Sequence, residues 1–223
     1  MQHRAHACNN WPFATLAPNM PAGILHYIHD PLCGWCYGAA PLLKAAADVS
    51  GLQIQLHAGG MMSPQPGGPG LSAFVRPHAD RIAQLTGQPF GKTYLDGLTA
   101  NPQAIFDSQP PATALLAAAE FGRGIEFLLH LQHAHFAEGA NISDRVELFR
   151  LATTFGFDQQ SFADAFHRLR DEPTGRHIQE ARTLLAKVGG AGFPTYAYES
   201  EQGWSMLNSA PCLGKPEQWA QAL

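Results

Sequence analysis

The sequence predicts an α/β fold with a large helical insertion, and three features of the chain lead to this prediction. A strand–helix–strand pattern opens the ordered part of the chain at residue 24. From about residue 72 to residue 188, almost every segment has helical character. Strand character returns only in the hairpin segments FPTYAYES and GWSMLNS, which precede a last helix in GKPEQWAQAL. The order of elements is therefore β-α-β, a helical block, and β-β-α.

The first unit begins with a short strand at residues 24–29, which alternate and are rich in β-formers until Asp30-Pro31 ends the strand. The segment CYGAAPLLKAAADVSG then places its apolar residues on one helical face and has Gly51 as its stop signal. Strict alternation in LQIQLHAGGMM indicates the second strand. Because a helix joins the two strands, we predict that they are parallel, with a right-handed crossover.

A proline- and glycine-rich loop, SPQPGGPG at residues 63–70, separates this unit from the helical block. Inside the block, Asp144 and Glu147 have the spacing of a helix capping box. We therefore divide the chain into an irregular N-terminal tail (1–22), a domain formed by two segments (23–71 and 189–223), and an inserted helical subdomain (72–188).

The composition limits the classes of function. A hydrophobic content of 45 % in 223 residues is ample for a buried core, and four cysteines are too few for the disulfide framework of a small secreted protein. The net charge of -4 provides no basic surface for nucleic acid. The sequence has neither a signal-peptide core nor an apolar run of about 18 residues. We therefore expect a soluble, cytoplasmic protein with neither nucleic acid nor membrane as a partner.

Cys33 and Cys36 stand three positions apart at the junction between the first strand and the helix. On a helix this spacing places both side chains on one face, close enough for a disulfide bond. A helix that begins near Cys33 would hold this sulfur at its positive end, which favours the thiolate. Cys36 lies one turn inside and is less accessible. We therefore predict a redox-active dithiol in which Cys33 attacks and Cys36 resolves the mixed disulfide.

A metal site and a pair of inert core cysteines are the alternatives for the same motif. A structural zinc ion needs four ligands, and no second CxxC or closely spaced Cys/His pair stands at the usual distance. His29, Cys8 or Cys212 would have to complete such a site in space. The strand-to-helix junction is a place where functional residues collect, which argues against inert cysteines. We predict no metal site.

The two segments DPLCGWCYG and GGAGFPTYAY together resemble the FrnE-like cytoplasmic branch of the DsbA family. The resemblance covers residues 24–223 in element order and implies a thioredoxin fold with a large helical insertion. It implies a thiol-disulfide oxidoreductase or isomerase that acts on protein or small-molecule thiols and disulfides. It implies no bound cofactor beyond the redox-active disulfide, with glutathione as a candidate co-substrate.

The resemblance also assigns residues that contact the substrate. Pro194 is implied to be a cis-proline that faces the cysteine pair, with the backbone of Phe193 turned outward to pair with a substrate strand. Gly34 and Trp35 lie between the two sulfurs, where we expect them to influence the pKa of the thiols and to meet the substrate. Pro41 is expected to kink the first helix, because it removes one internal hydrogen bond.

A second function exists on the same fold. Glutathione-dependent transferases and isomerases of the kappa and hydroxychromene-carboxylate type resemble this chain in their helical insertion. They typically carry serine rather than CxxC at the helix start. The presence of both Cys33 and Cys36 favours the oxidoreductase over this alternative.

Five histidines invite a functional interpretation. His130, His133 and His135 have no Cys or carboxylate at ligand spacing, so we predict a solvated helix face rather than a metal site. His26 and His29 lie on or beside the strand that leads to Cys33. One of them is a candidate proton shuttle for the dithiol, although a hydrogen-bonded structural role is the more usual one.

The remaining sulfur-containing residues are assigned no chemistry. Met61 and Met62, which follow the second strand, are expected in the core. Cys8 and Cys212 are expected to be inert, and a stable disulfide between them is not expected, because cytosolic thiols are kept reduced.

Overall fold

The computed structural model describes residues 23–223. The central sheet has four strands in the order β2-β1-β5-β6, and a separate two-stranded ladder pairs β3 with β4. The strands are β1 (Gly23–His29), β2 (Gln53–Ala58), β3 (Gln65–Pro66), β4 (Ile105–Phe106), β5 (Thr195–Ser200) and β6 (Gly203–Leu207). Strand β1 is parallel to β2 and antiparallel to β5, which forms a hairpin with β6. The predicted parallel unit and the single sheet that includes the late hairpin are confirmed.

Nine helices surround the sheet within the described part of the chain. They are α1 (Gly34–Gly38), α2 (Ala40–Ala47), α3 (Pro69–Thr86), α4 (Gln109–Glu120), α5 (Gly124–Phe136), α6 (Arg145–Phe155), α7 (Gln159–Leu169), α8 (Glu172–Lys187) and α9 (Pro216–Ala222). The single helix predicted after the cysteines is divided at Ala39 into α1 and α2. Pro41 lies in the first turn of α2, where its missing N–H costs no hydrogen bond. In place of the kink expected at Pro41, the chain has a break between two helices at Ala39.

Two local features of the helical block were not predicted. A π-helical segment, Thr93–Leu98, follows α3, and the β3–β4 ladder closes over the same region. The predicted cap at Asp144 is present, because its carboxylate accepts from the backbone N–H groups of Val146 and Glu147. The Glu147 carboxylate pairs with Arg150 at 2.6 Å rather than reaching back to the cap.

The antiparallel pairing of β1 with β5 determines where the CxxC segment and the segment around Pro194 meet in space. In this pairing Ile28, near the end of β1, stands opposite Thr195, the first residue of β5. The chain that leaves β1 toward Cys33 and the chain that enters β5 through Pro194 therefore lie side by side. One end of the sheet thus carries both segments on which the family resemblance depends.

Among residues 23–223, no helix combines the length and the apolar character that crossing a bilayer requires.

Candidate active site

Cys33 faces the loop that precedes β5. The Phe193–Pro194 peptide bond is cis, as the resemblance implies. The Cys33 thiol donates a hydrogen bond to the Phe193 carbonyl oxygen, with 3.6 Å between sulfur and oxygen. Two segments that are 160 residues apart along the chain thus meet at this sulfur.

The surroundings of Cys33 favour its thiolate. Cys33 is the N-cap residue of α1, and its residue surface is only 5 % exposed. Its pKa is lowered, first by a hydrogen bond from the Cys36 thiol and then by the backbone N–H groups of Cys36 and Trp35. Burial and the nearby Asp30 carboxylate act in the opposite direction. The helix start therefore lowers the thiol pKa by directed hydrogen bonds, as predicted from the motif.

Cys36 has the opposite character. Its side chain is fully buried, and burial raises its pKa well above the usual thiol value, with the hydrogen bond to Cys33 as the second cause. The Tyr27 hydroxyl donates to the Cys36 carbonyl oxygen at 3.4 Å. Both thiols are free rather than joined, so the structure is that of the dithiol state. The hydrogen bond from Cys36 thus favours the thiolate form of Cys33.

The two residues between the sulfurs occupy different environments. A Cβ atom at Gly34 would lie 3.2 Å from the Ile82 side chain of α3, so the close approach of α1 to α3 favours glycine. Trp35 is partly exposed, and the Arg81 guanidinium lies 5.9 Å from the centroid of its ring. Arg81 is itself exposed, so this pair lies on the outer side of the site.

Phe193 contributes its backbone rather than its ring to the site. A Cβ atom at Gly59 would lie 2.1 Å from the tip of the Phe193 ring, so the ring tip packs against the loop after β2. Arg182 of α8 donates to the carbonyl oxygens of Gly59 and Gly60 and holds the same loop. The carbonyl of Phe193 is left facing Cys33.

Asp30 is a residue of the site that sequence reasoning missed. Its buried carboxylate accepts from Leu32 N at 2.9 Å, from Met61 N at 2.6 Å and from Ser108 Oγ at 2.9 Å. Burial raises the pKa of this carboxyl, and its charge raises the pKa of both cysteines. Its position next to Pro31 indicated only the end of a strand. The signal in the sequence that could have identified Asp30 was its position as an isolated acidic residue just before the CxxC motif.

The two strand histidines differ in hydrogen bonding: both ring nitrogens of His26 have a partner, whereas those of His29 have none within the described residues. The His26 ring lies between His57 at 2.9 Å and Glu199 at 3.1 Å. His29 is fully buried, and its ring stacks on Tyr27 with 5.1 Å between centroids. Burial lowers the pKa of His29 to about 3, so this side chain is neutral at ordinary pH.

The predicted solvated face of α5 is wrong for two of its three histidines. His130 is only partly exposed, with 5.2 Å between the centroids of its ring and the Phe155 ring. His133 is exposed, whereas His135 is only 1 % exposed and bonds through Nδ1 to the Ala140 carbonyl oxygen at 2.8 Å. The reason is that the C-terminal turn of α5 packs against other elements on more than one side, including Tyr94 and Phe106. Within residues 23–223, no cluster of potential metal ligands is found.

Two further expectations need correction. Met61 is 43 % exposed instead of lying in the core, because the loop after β2 turns it toward the surface; Met62 packs partly buried. Cys212 is buried and disulfide-bonded, so the expectation that this thiol stays reduced is wrong. Disulfide formation depends on proximity in space, which the sequence does not contain. The prediction made for Cys8 lies outside the described residues.

A cavity of about 690 Å³ opens beside Cys33. Its wall combines the CxxC segment with the loop after β2, with α3, and with parts of the helical block that include Tyr94 and His135. The side chains of Leu71, Val75, Ile82, Phe90 and Phe106 make much of this wall apolar. The Cys33 sulfur therefore borders a half-open cleft rather than a flat surface.

Comparisons with known proteins agree with this geometry. A family model described as a DSBA-like thioredoxin domain matches residues 26–210. The cytosolic disulfide reductase DsbM from Pseudomonas aeruginosa is 48 % identical, with a TM-score of 0.84 over 88 % of this chain and 95 % of that chain. The structure of the same reductase with GSH has a TM-score of 0.83 at equal identity and coverage.

A putative protein disulfide isomerase from Nitrosomonas europaea is 23 % identical and has a TM-score of 0.71, covering 90 % of this chain and 95 % of that chain. This likeness concerns the fold. Among curated protein sequences, none matches the chain.

Proposed function

Since the chain belongs to the DSBA-like thioredoxin domain family and is a thiol-disulfide oxidoreductase, we propose that Cys33 is its nucleophile and Cys36 its resolving thiol. The observation that carries this assignment is the opposite direction of the two pKa shifts, downward at Cys33 and upward at Cys36. We assign substrate contact to Gly34, Trp35, Phe193 and Pro194. Gly34 and Trp35 line the cavity beside Cys33, and the carbonyl group that precedes Pro194 faces the Cys33 sulfur.

Each half of the reaction uses one cysteine. The Cys33 thiolate attacks one sulfur of a substrate disulfide, a new disulfide forms between Cys33 and that sulfur, and the other substrate half leaves as a thiolate. Cys36 then loses its proton and attacks Cys33, which releases the second substrate thiolate and leaves a Cys33–Cys36 disulfide. Two electrons thus pass from the protein dithiol to the substrate. Solvent supplies the protons that the departing thiolates take up.

The DsbM relative supports reduction of the substrate as the direction of electron flow. That protein is described as a cytosolic disulfide reductase and was solved with GSH. By this likeness the present chain reduces disulfides in the cytosol, and glutathione returns the Cys33–Cys36 disulfide to the dithiol. Two glutathione molecules supply the electrons and leave as oxidised glutathione, so the cycle needs no bound cofactor. Partners are thiols and disulfides, not nucleic acid.

The division of the chain fits this role. Residues 23–71 and 189–223 supply the cysteines and the cis-proline as one domain, and the inserted helical subdomain of residues 72–188 supplies much of the cavity wall. The glutathione transferase or isomerase alternative is not favoured, because the 48 % identical relative is a disulfide reductase. Isomerisation of protein disulfides is likewise secondary to reduction.

A coupled assay tests the proposal. The purified protein is mixed with glutathione, NADPH, glutathione reductase and a small symmetric disulfide, and NADPH oxidation is followed. We expect turnover above the uncatalysed rate that is lost in the Cys33→Ser variant. Oxidation of a reduced unfolded protein by the Cys33–Cys36 disulfide, without turnover in the coupled assay, would instead identify an oxidase. A redox titration of the same pair against glutathione distinguishes the two cases.

A further inference from the structure

The cavity beside Cys33 carries information about the substrate. We propose that this reductase acts on mixed disulfides in which one half is a compact, uncharged, apolar thiol, and that this half occupies the cavity while the glutathione half remains outside. The proposal rests on the disulfide reductase function and names its substrate class.

The chemistry of the cavity wall favours an uncharged ligand. Among the described residues that line the cavity, none is Asp, Glu, Lys or Arg. His78 lies on the exposed face of α3, at the outer side of the cavity. A volume of about 690 Å³ falls in the range of small-molecule sites. A charged group placed inside would lose part of its hydration without an ionic side chain in the wall to compensate.

The outer side of the cavity has an apolar surface. Phe74 is 66 % exposed and Met61 is 43 % exposed, and both line the cavity. Exposed large apolar side chains that gather beside a reactive group commonly mark a binding site. Cys33 itself is only 5 % exposed, so a substrate sulfur reaches it through this apolar approach.

The inner wall also carries two polar side chains, His135 and Tyr94. Because a carbonyl oxygen can only accept, His135 Nδ1 carries the proton that is donated to Ala140, and Nε2 remains an acceptor. Burial lowers the pKa of His135 to about 4 and raises that of Tyr94. Both side chains are therefore uncharged at neutral pH. They suit a ligand that carries a hydroxyl or amide group, but not an ionised one.

These features separate the two halves of a mixed disulfide. Glutathione carries two carboxylates and an ammonium group, which the cavity does not accommodate. Outside the cavity, Arg81 lies over Trp35 and provides an exposed cation beside the attack site. The apolar half thus points inward and the glutathione half points toward solvent.

The chemical step follows from this orientation. The Cys33 thiolate attacks the sulfur that carries the apolar group, the substrate S–S bond breaks, and glutathione leaves as a thiolate that takes a proton from solvent. Cys36 then displaces the apolar thiolate from Cys33. Two further glutathione molecules reduce the Cys33–Cys36 disulfide and become oxidised glutathione.

Two matched substrates test the substrate class. The benzyl mercaptan–glutathione mixed disulfide carries an uncharged apolar half, whereas the cysteine–glutathione mixed disulfide carries a zwitterionic one. Each rate is divided by its uncatalysed rate with glutathione. We expect kcat/KM to favour the benzyl substrate by at least about tenfold, the order expected for burial of an apolar group. Equal values would overturn the inference and leave the reductase function intact, whereas no turnover of either substrate would refute the function itself.

Variants of the cavity wall provide the second measurement. Val75→Trp fills the cavity and Val75→Asp places a charge in it, and either should remove most of the preference for the benzyl substrate. Val146→Trp is the matched control, because Val146 is 79 % exposed on α6 and outside the cavity. Circular dichroism and the alkylation rate of Cys33 establish that each variant is folded. If both folded Val75 variants keep the full preference, the benzyl group binds elsewhere and the inference is wrong.

Discussion

At the scale of single residues, the two cysteines differ in access as well as in pKa. Cys33 borders the cavity, whereas Cys36 is fully buried behind it. Replacement of Cys33 by Ser should therefore abolish disulfide exchange. Replacement of Cys36 by Ser should leave a nucleophile that forms adducts which it cannot resolve, so mixed disulfides should accumulate. Mass spectrometry after exposure to oxidised glutathione measures both results, and an adduct-free Cys36→Ser protein would contradict the assigned roles.

The hydrogen bond between the thiols predicts a specific pH dependence. It is the largest cause of the lowered pKa of Cys33, so Cys36→Ala should raise the pKa of Cys33. The alkylation rate by iodoacetamide, measured against pH, should shift its midpoint upward in this variant, with Val146→Ala as a control. An unchanged midpoint would assign the lowered pKa to the helix start alone.

The same shift has a consequence for stability. A folded-state pKa below the unfolded value stabilises the reduced protein above the unfolded pKa, and this contribution is lost as pH falls through the folded pKa. The difference in unfolding free energy between reduced wild type and Cys33→Ser should therefore widen as pH rises. Urea denaturation at several pH values measures this difference.

The Asp30 carboxylate joins three parts of the site. Asp30→Ala removes the acceptor of three hydrogen bonds and leaves buried donors unpaired, so we expect a loss of about 3 kcal/mol in unfolding free energy. Asp164→Ala, at an exposed position of α7, should change stability by no more than about 0.5 kcal/mol. Denaturant titration compares the two variants. Equal stabilities would show that water replaces the carboxylate.

The sequence predicted those site residues whose spacing itself indicates chemistry. Cys33 and Cys36 were found because a three-residue spacing at a strand-to-helix junction has few other uses, and the resemblance supplied Pro194. Asp30 and Met61 were missed because their roles depend on which loop packs against them. Burial of this kind is a property of the assembled fold and leaves no periodic pattern in the chain.

At the scale of elements, the loop after β2 depends on a close contact. Gly59→Ala would place a methyl group 2.1 Å from the tip of the Phe193 ring, so the ring or the loop must move. We expect a loss of about 1–3 kcal/mol, the usual cost of overpacking. The additional change Phe193→Ala should recover part of this loss, which a double-mutant cycle by urea denaturation measures. Additive effects of the two changes would contradict the contact.

The long helices and the main strands were predictable because their apolar residues repeat over several turns or alternate over several positions. The β3–β4 ladder contains two residues in each strand, which is too short for any alternation to be seen. The π-helical segment Thr93–Leu98 differs from an α-helix only in its hydrogen-bond register. Pro41 predicted an interruption of the helix, but it did not predict that the break lies at Ala39.

At the scale of the whole molecule, one hydrophobic cluster joins the sheet to the helical insertion. Leu25, Tyr27 and Tyr196 of the sheet belong to the same cluster as Phe127 and Phe162 of the helices. We therefore expect the described part of the chain to unfold in a single cooperative transition.

Two optical signals test this expectation. Trp35, Trp204 and Trp219 lie outside the inserted block, so tryptophan fluorescence reports chiefly on the sheet and its adjoining helices. Far-ultraviolet circular dichroism reports chiefly on the helices. The two urea transitions should coincide, and a clear separation between their midpoints would show that the inserted block unfolds independently.

The pairing of β1 with β5 also determines when the surroundings of Cys33 are completed during synthesis of the protein. Cys33 leaves the ribosome 160 residues before Phe193, whose carbonyl group it contacts. At a synthesis rate of about 5–20 residues per second, this interval lasts roughly 10–30 s. Throughout it, the pair of thiols exists without the segment that closes over it in the finished molecule. The order of translation therefore exposes the reactive sulfur to cellular disulfides first and completes its surroundings last.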